Sequence, residues 1–133
     1  MTTVTLKPEH EGPLERHHPW VFSGAIAGMD GQPAPGDTVD VHSADGEWLG
    51  KGAYSPQSQI SVRMWTWTPD EPVDAVFFRK RLEAACAWRK ELGWMGGRQA
   101  CRLVNAESDG LPGIVADRYA DVVVCQFNTA GAE

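Results

Sequence analysis

The chain has 133 residues, 42% hydrophobic and 23% charged, with 14 glycines and nine prolines in no period, which excludes collagen-like and low-complexity readings. No apolar run approaches the ~18 residues of a membrane span, and the first residues, Met1 to Lys7, carry no apolar signal segment, so a soluble cytoplasmic chain is expected. The net charge of −6 lies in the first half: residues 1–72 carry four basic residues (Lys7, Arg16, Lys51, Arg63) against ten acidic, and residues 73–133 carry eight of each. A global phosphate-neutralising surface is thereby excluded from the first half, where any nucleic-acid contact has to be local.

The first half reads as short strands separated by turns. Thr3 to Lys7 alternates, and Trp20-Val21-Phe22 after Pro19 starts either a helical turn or a strand. Pro33-Ala34-Pro35-Gly36-Asp37 is a turn cluster before a strand at Thr38 to His42, with Val39 and Val41 on one face. Asp45-Gly46 then predicts a hairpin to Glu47–Leu49. Gln59 to Trp67 alternates, with Ile60, Val62 and Met64 on one face and Ser61, Arg63, Trp65 and Trp67 on the other. Close strands with turn chemistry between them describe a small β-barrel. The Trp face predicts a second domain packed upon it, with ligand binding as the alternative.

The linker Thr68-Pro69-Asp70-Glu71-Pro72 marks a boundary. Asp74 is the expected N-cap of a helix running to about Leu92 and stopped by Gly93. Its expected apolar stripe is Phe78, Leu82, Ala85 and Leu92, with Arg79, Lys80, Glu83, Arg89, Lys90 and Glu91 mostly solvated. Three strands follow, at Ala100–Asn105, Ile114–Asp117 and Val122–Phe127, the last pair joined by a turn at Tyr119-Ala120. Three strands and one helix leave a sheet face or edge uncovered, and the last five residues supply no closing element. The chain is therefore expected to be an N-terminal piece of something longer.

The catalytic inventory is thin. There is no G-x-G-x-x-G, P-loop, G-x-S-x-G or H-E-x-x-H, and Gly50-Lys51-Gly52 is too short to cradle a phosphate. The adjacent His17 and His18 make a poor metal pair. Cys86, Cys101 and Cys125 are odd in number and far apart, which fits reduced buried thiols better than zinc or disulfides. Glu107 and Asp109 lie in a turn-forming run, where a structural role outweighs a catalytic carboxylate pair.

Two segments are more specific than composition. The first is Arg16-His17-His18-Pro19-Trp20-Val21-Phe22-Ser23-Gly24-Ala25-Ile26, followed by Pro35-Gly36-Asp37 and Gly50-Lys51-Gly52-Ala53-Tyr54-Ser55-Pro56. The second runs from Arg102 to Tyr119 and contains Glu107-Ser108-Asp109-Gly110-Leu111-Pro112-Gly113. In that order they closely resemble the N-terminal part of the ribosomal RNA large-subunit methyltransferase I family, from about Leu6 through Glu133. Members of that family are S-adenosylmethionine-dependent enzymes that make 5-methylcytosine in 23S rRNA.

The resemblance implies an α+β, mainly β chain: a PUA-like pseudo-barrel over residues 1–72, then residues 73–133 as the start of a central α+β domain. The cofactor-binding loop and nucleophilic cysteine of the family belong to a Rossmann-like methyltransferase domain that this sequence does not contain. Cys86, Cys101 and Cys125 match neither role. Catalytic, cofactor-binding and metal residues are thus expected to be absent, with S-adenosylmethionine bound by the whole enzyme and not by this part. The resemblance implies RNA contact through Arg16, His17 and His18, with Lys51, Tyr54, Ser55 and Arg63 beside them. The implied partners are 23S rRNA or another structured RNA, and the missing methyltransferase domain; homodimer formation is left open, and no membrane is involved. Two alternatives stand: an adaptor whose Trp65 and Trp67 face docks a protein, and a PUA module of another RNA-modifying enzyme such as a pseudouridine synthase.

Overall fold

In the computed structural model, which describes residues 1–97 and 99–133, six strands form the first sheet. They are β1 (Thr3–Leu6), β2 (Trp20–Phe22), β3 (Ile26–Asp30), β4 (Thr38–His42), β5 (Trp48–Tyr54) and β6 (Ile60–Thr66), in the order β2-β6-β5-β4-β1-β3. All neighbours are antiparallel except β1 and β4. The two ends of that order, β2 and β3, are consecutive in sequence and joined by a single 3-10 turn, Ser23–Ala25. A covalent link that short forces the sheet to curl until its ends meet at a corner, which makes the pseudo-barrel.

Alternation fills the inside. Val4, Leu6, Val21, Val39, Val41, Val62 and Met64 form one buried cluster, joined by Leu14 from the one-turn helix α1 (Gly12–Glu15). Burying each such side chain contributes about 1.5–3 kcal/mol. The prediction of a strand over Glu47–Leu49 falls short, because β5 continues to Tyr54. Gly50 permits this: a Cβ there would lie 2.8 Å from the Thr66 carbonyl oxygen. The Gly50-Lys51-Gly52 run serves close strand approach.

A bulge in the β5–β6 ladder decides what the tryptophans do. Lys51 pairs with Thr66 but Gly52 pairs with Met64, so Trp65 is the extra residue. Such an insertion reverses the alternation beyond it. Trp65 is 2% exposed and belongs to the second core, whereas Trp67 packs back against the barrel cluster. The expectation that both share one outward face is thus corrected. The expectation that a second unit covers that face holds for Trp65.

The second unit consists of helix α2 (Ala75–Glu91) and the antiparallel strands β7 (Cys101–Asn105), β8 (Ile114–Tyr119) and β9 (Val122–Phe127). The Asp74 carboxylate caps α2, accepting from the Val76 and Phe77 amides at 2.9 Å, and Gly93 stops the helix with φ +74°. Phe77, Ala85, Cys101, Leu103, Val104, Leu111 and Ala116 form its core together with Trp65 and Ala53 of the barrel. Trp65 meets Phe78 edge-on at 5.0 Å, so the hydrophobic interior is continuous across the linker.

Three further corrections follow. Phe77 is buried on α2, while Leu82 and Leu92 are each 40% exposed. Arg89, expected in solvent, is buried. The last residues also do more than expected: a Cβ on Gly36 would lie 2.7 Å from the Ala130 carbonyl oxygen, which places the segment after β9 against the barrel. As expected, an edge is left bare: β9 is exposed throughout, including Val122, Val123, Val124 and Phe127.

Candidate nucleic-acid interface

Among the described residues, Lys7, Lys51, Arg63, Arg81, Arg89, Arg102 and Arg118 are engaged by the protein's own carbonyls or carboxylates. Arg89 lies on α2 at the helical spacing that buries Ala85, and its guanidinium donates to both oxygens of Asp109 at 2.5 and 2.8 Å and to the Arg102 carbonyl at 3.1 Å. Burial works to raise the Asp109 pKa, but the Arg89 bonds and the Asn105 amide outweigh it, and the carboxyl is held below its ordinary value. Arg102 pairs with Asp117, and Arg81 and Arg118 donate to the Gly110 and Met95 carbonyls. The run Glu107–Gly113 is a double turn: a 3-10 helix over Ala106–Asp109, then Gly110 at φ +66° and Gly113 at φ +82°. Asp109 therefore has the structural role expected of it.

The seven residues singled out in the sequence divide into groups. Arg16, His17 and His18 follow α1 on one exposed turn and line a groove of about 880 Å³ with His10, Trp20 and Phe22. His17 adopts φ +58° and stacks on Trp67 at 4.7 Å, so it leaves only one ring face free. His18 meets Trp20 edge-on at 5.6 Å, and its Nδ1 accepts from the Trp20 amide at 3.3 Å. Arg16 is exposed and enters no ion pair among the described residues.

The other four lie elsewhere. Lys51 directs its ammonium to the linker, donating to the carbonyls of Pro69 (2.8 Å) and Glu71 (3.4 Å). Tyr54 packs against the barrel cluster. Ser55 is buried, and with Arg63 it lines a second groove of about 460 Å³ next to Asn128 and Thr129. Burial lowers the Arg63 pKa against the opposing pull of Glu107, and its guanidinium donates to the Ile60 carbonyl at 3.3 Å.

Sequence reasoning passed over Trp20 as a site residue. Trp20 pairs directly across from Arg63 on β6, and its indole Nε1 donates to Glu107 Oε1 at 3.0 Å. This bond joins the rim of the barrel groove to the second unit. The signal was the unit Trp-Val-Phe on a short strand: only its middle residue is fully buried, so the flanking rings have to face outward.

The expectation of buried thiols is met by Cys101 alone: Cys86 is half-buried, and Cys125 is exposed because it lies on the uncovered strand β9. No group of three or more His, Cys, Asp and Glu among the described residues is arranged to hold a metal ion.

Comparison with known proteins bears on the fold that carries these residues. A family model described as a PUA-like domain matches residues 4–67. The chain is 55% identical over 131 residues to ribosomal RNA large subunit methyltransferase I of Shewanella denitrificans, covering 98% of this chain and 33% of the relative. It is 53% identical to the protein of the same name from Shewanella frigidimarina and 52% identical to that of Pseudoalteromonas atlantica, again over 98% of this chain and 33% of each relative. The chain thus spans about a third of the length of these relatives. Among solved structures, a protein from Streptococcus mutans described as a SAM-dependent methyltransferase superposes with a TM-score of 0.82 at 19% identity, over 98% of this chain and 34% of that one. A second protein, described as a methyltransferase and complexed with SAH, superposes with a TM-score of 0.81 at 20% identity, over 98% of this chain and 33% of that one.

Proposed function

We propose, for a chain that matches a third of the ribosomal RNA large subunit methyltransferase I proteins and opens with a PUA-like domain, that its task is to hold structured RNA for a methyltransferase. The observation that carries this reading is the gathering of Arg16, His17 and His18 in one groove, with Arg16 outside every ion pair described. Arg16 positions a phosphate, and the half-free rings of His17 and His18 line its path. Ser55 and Arg63 form a secondary contact on the second groove. Lys51 and Tyr54 have no part while the linker carbonyls and the barrel core hold them.

In this reading residues 1–72 are the RNA-binding unit and residues 73–133 the start of a central domain. The substrate is 23S rRNA and the methyl acceptor is C5 of a cytosine. S-adenosylmethionine supplies the methyl group, and its site lies outside these residues, which do not fit it. Helix α2 begins after a proline-containing linker rather than a glycine turn, and Asp74 already occupies its first amides. The exposed Trp65 and Trp67 face of the adaptor alternative is taken by Phe78 and by His17.

The test is binding of a 23S rRNA fragment at several salt concentrations. Arg16→Ala is expected to weaken binding and to flatten the dependence of log affinity on log salt by about one unit, one phosphate contact. An unchanged slope would clear Arg16 of that role. The same chain titrated with S-adenosylmethionine is expected to show no binding, and micromolar binding would overturn the assignment of parts.

A further inference from the structure

The aromatic rings of the groove carry more than a phosphate contact requires. On β2 the outward residues are Trp20 and Phe22, with Val21 between them buried in the barrel. The β2–β6 register slips between Val21 and Phe22, so that Phe22 pairs with Ile60. A bulge at this point re-aims the side chain that follows. Phe22 is 49% exposed. Its ring stands edge-on to Trp20 at 6.3 Å and 85°.

Trp20 is itself held at both sides. Its indole N–H is fixed by Glu107, its backbone amide is bound by His18, and the His18 ring meets it edge-on. Phe22 is therefore the outer end of a braced row, His18–Trp20–Phe22, and presents an open ring face in the groove that Arg16 also lines. An aromatic face backed by braced neighbours, in a groove that a cation also lines, is an arrangement that binds an unpaired nucleobase: every base offers a π-face, and a phosphate of the same strand can be met by the guanidinium further along the groove. A duplex keeps its bases stacked inside and cannot use such a ring.

We propose that Phe22 is a stacking platform for an unpaired base, so that the groove selects single-stranded or looped RNA over duplex. This rests on the RNA reading above and adds the class of RNA it takes. Glu9, which also lines the groove, sets a limit on how many phosphates it can hold and makes the stacking contact the more decisive.

The experiment uses this chain with three probes of equal length: an unstructured RNA 12-mer carrying one 2-aminopurine, its blunt duplex, and a hairpin with the 2-aminopurine in its loop. Fluorescence anisotropy gives affinity, and quenching of the 2-aminopurine reports stacking. The single strand and the hairpin are expected to bind ~tenfold or more tightly than the duplex, with quenching. Phe22→Ala is expected to lose ~tenfold in single-strand affinity and the quenching, without moving duplex affinity, whereas Phe22→Tyr keeps both. Phe22 lies at the surface, so circular dichroism should be unchanged. Duplex binding as tight as single-strand binding, or Phe22→Ala without effect where Arg16→Ala weakens binding, would overturn the platform and leave the RNA reading standing. RNA affinity moved by neither substitution would overturn both the platform and the RNA reading of this groove.

Discussion

The two units of this molecule are held together by different chemistry. The barrel interior is hydrocarbon: valines, Leu6 and Met64 from the strands and Leu14 from α1, with no buried charged side chain among the described residues of that unit. The second unit is smaller, and its helix and turn are tied by arginines that reach backbone carbonyls and carboxylates, above all Arg89 with Asp109. A three-stranded sheet under one helix buries too little apolar surface to fix its long turn unaided, so directional bonds position Glu107–Gly113. The barrel closes on itself and has no such need.

The contrast can be broken at its strongest point first. Asp109→Ala leaves the buried Arg89 charge without its partner, and about 3–5 kcal/mol of stability should be lost. Native-state hydrogen exchange should show faster exchange in β7 and β8 while β4 and β5 keep their protection. Uniform loss across both sheets would mean that the shared Trp65 interior makes the chain one cooperative unit.

The reciprocal change, Leu6→Ala, removes only packing and should cost about 2–5 kcal/mol. Here the loss should fall first on the barrel amides. Equal weakening of β7 and β8 would again point to a single unit.

A smaller effect should appear with pH. The Asp109 pKa is lowered in the folded state, so its contribution is fully present above the unfolded value of about 3.9 and is lost as pH falls through the folded value. Urea midpoints for the second unit should fall as the pH is lowered below the unfolded value, and Asp109→Asn should flatten that dependence. Barrel protection should change less, because the carboxylate of the first unit held below its ordinary value, Glu11, lies at the surface and accepts there from the Ala44 amide.

The sequence shows the barrel better than the second unit for the same reason. Alternation at Thr38–His42 and Ile60–Met64 is written locally, and so are the Asp74 cap and the Gly93 stop. Long-range events are not. The bulge that separates Trp65 from Trp67 depends on a glycine-lined partner strand, and no pattern within β6 itself announces it. Arg89 reads as a solvated base beside Lys90 because its partner is a turn residue twenty positions further on. The one local clue was its place on the stripe of Phe78 and Ala85. In the interface, the cluster Arg16-His17-His18 was legible as a motif, but Lys51 was not legible as engaged, since its acceptors are linker carbonyls. Nor could alternation reveal that Trp20 reaches Glu107.

The bare strand β9 gives the molecule a chemical reporter. Cys125 sits in the middle of that strand with its thiol exposed, while Cys101 is buried beneath the helix. With the half-buried Cys86 of α2 replaced by serine, a thiol reagent should therefore label Cys125 at the edge quickly and Cys101 only when the second unit opens. The first rate then measures how much of β9 is covered, by a neighbour strand, another domain or another molecule. The second measures how often the sheet itself comes apart.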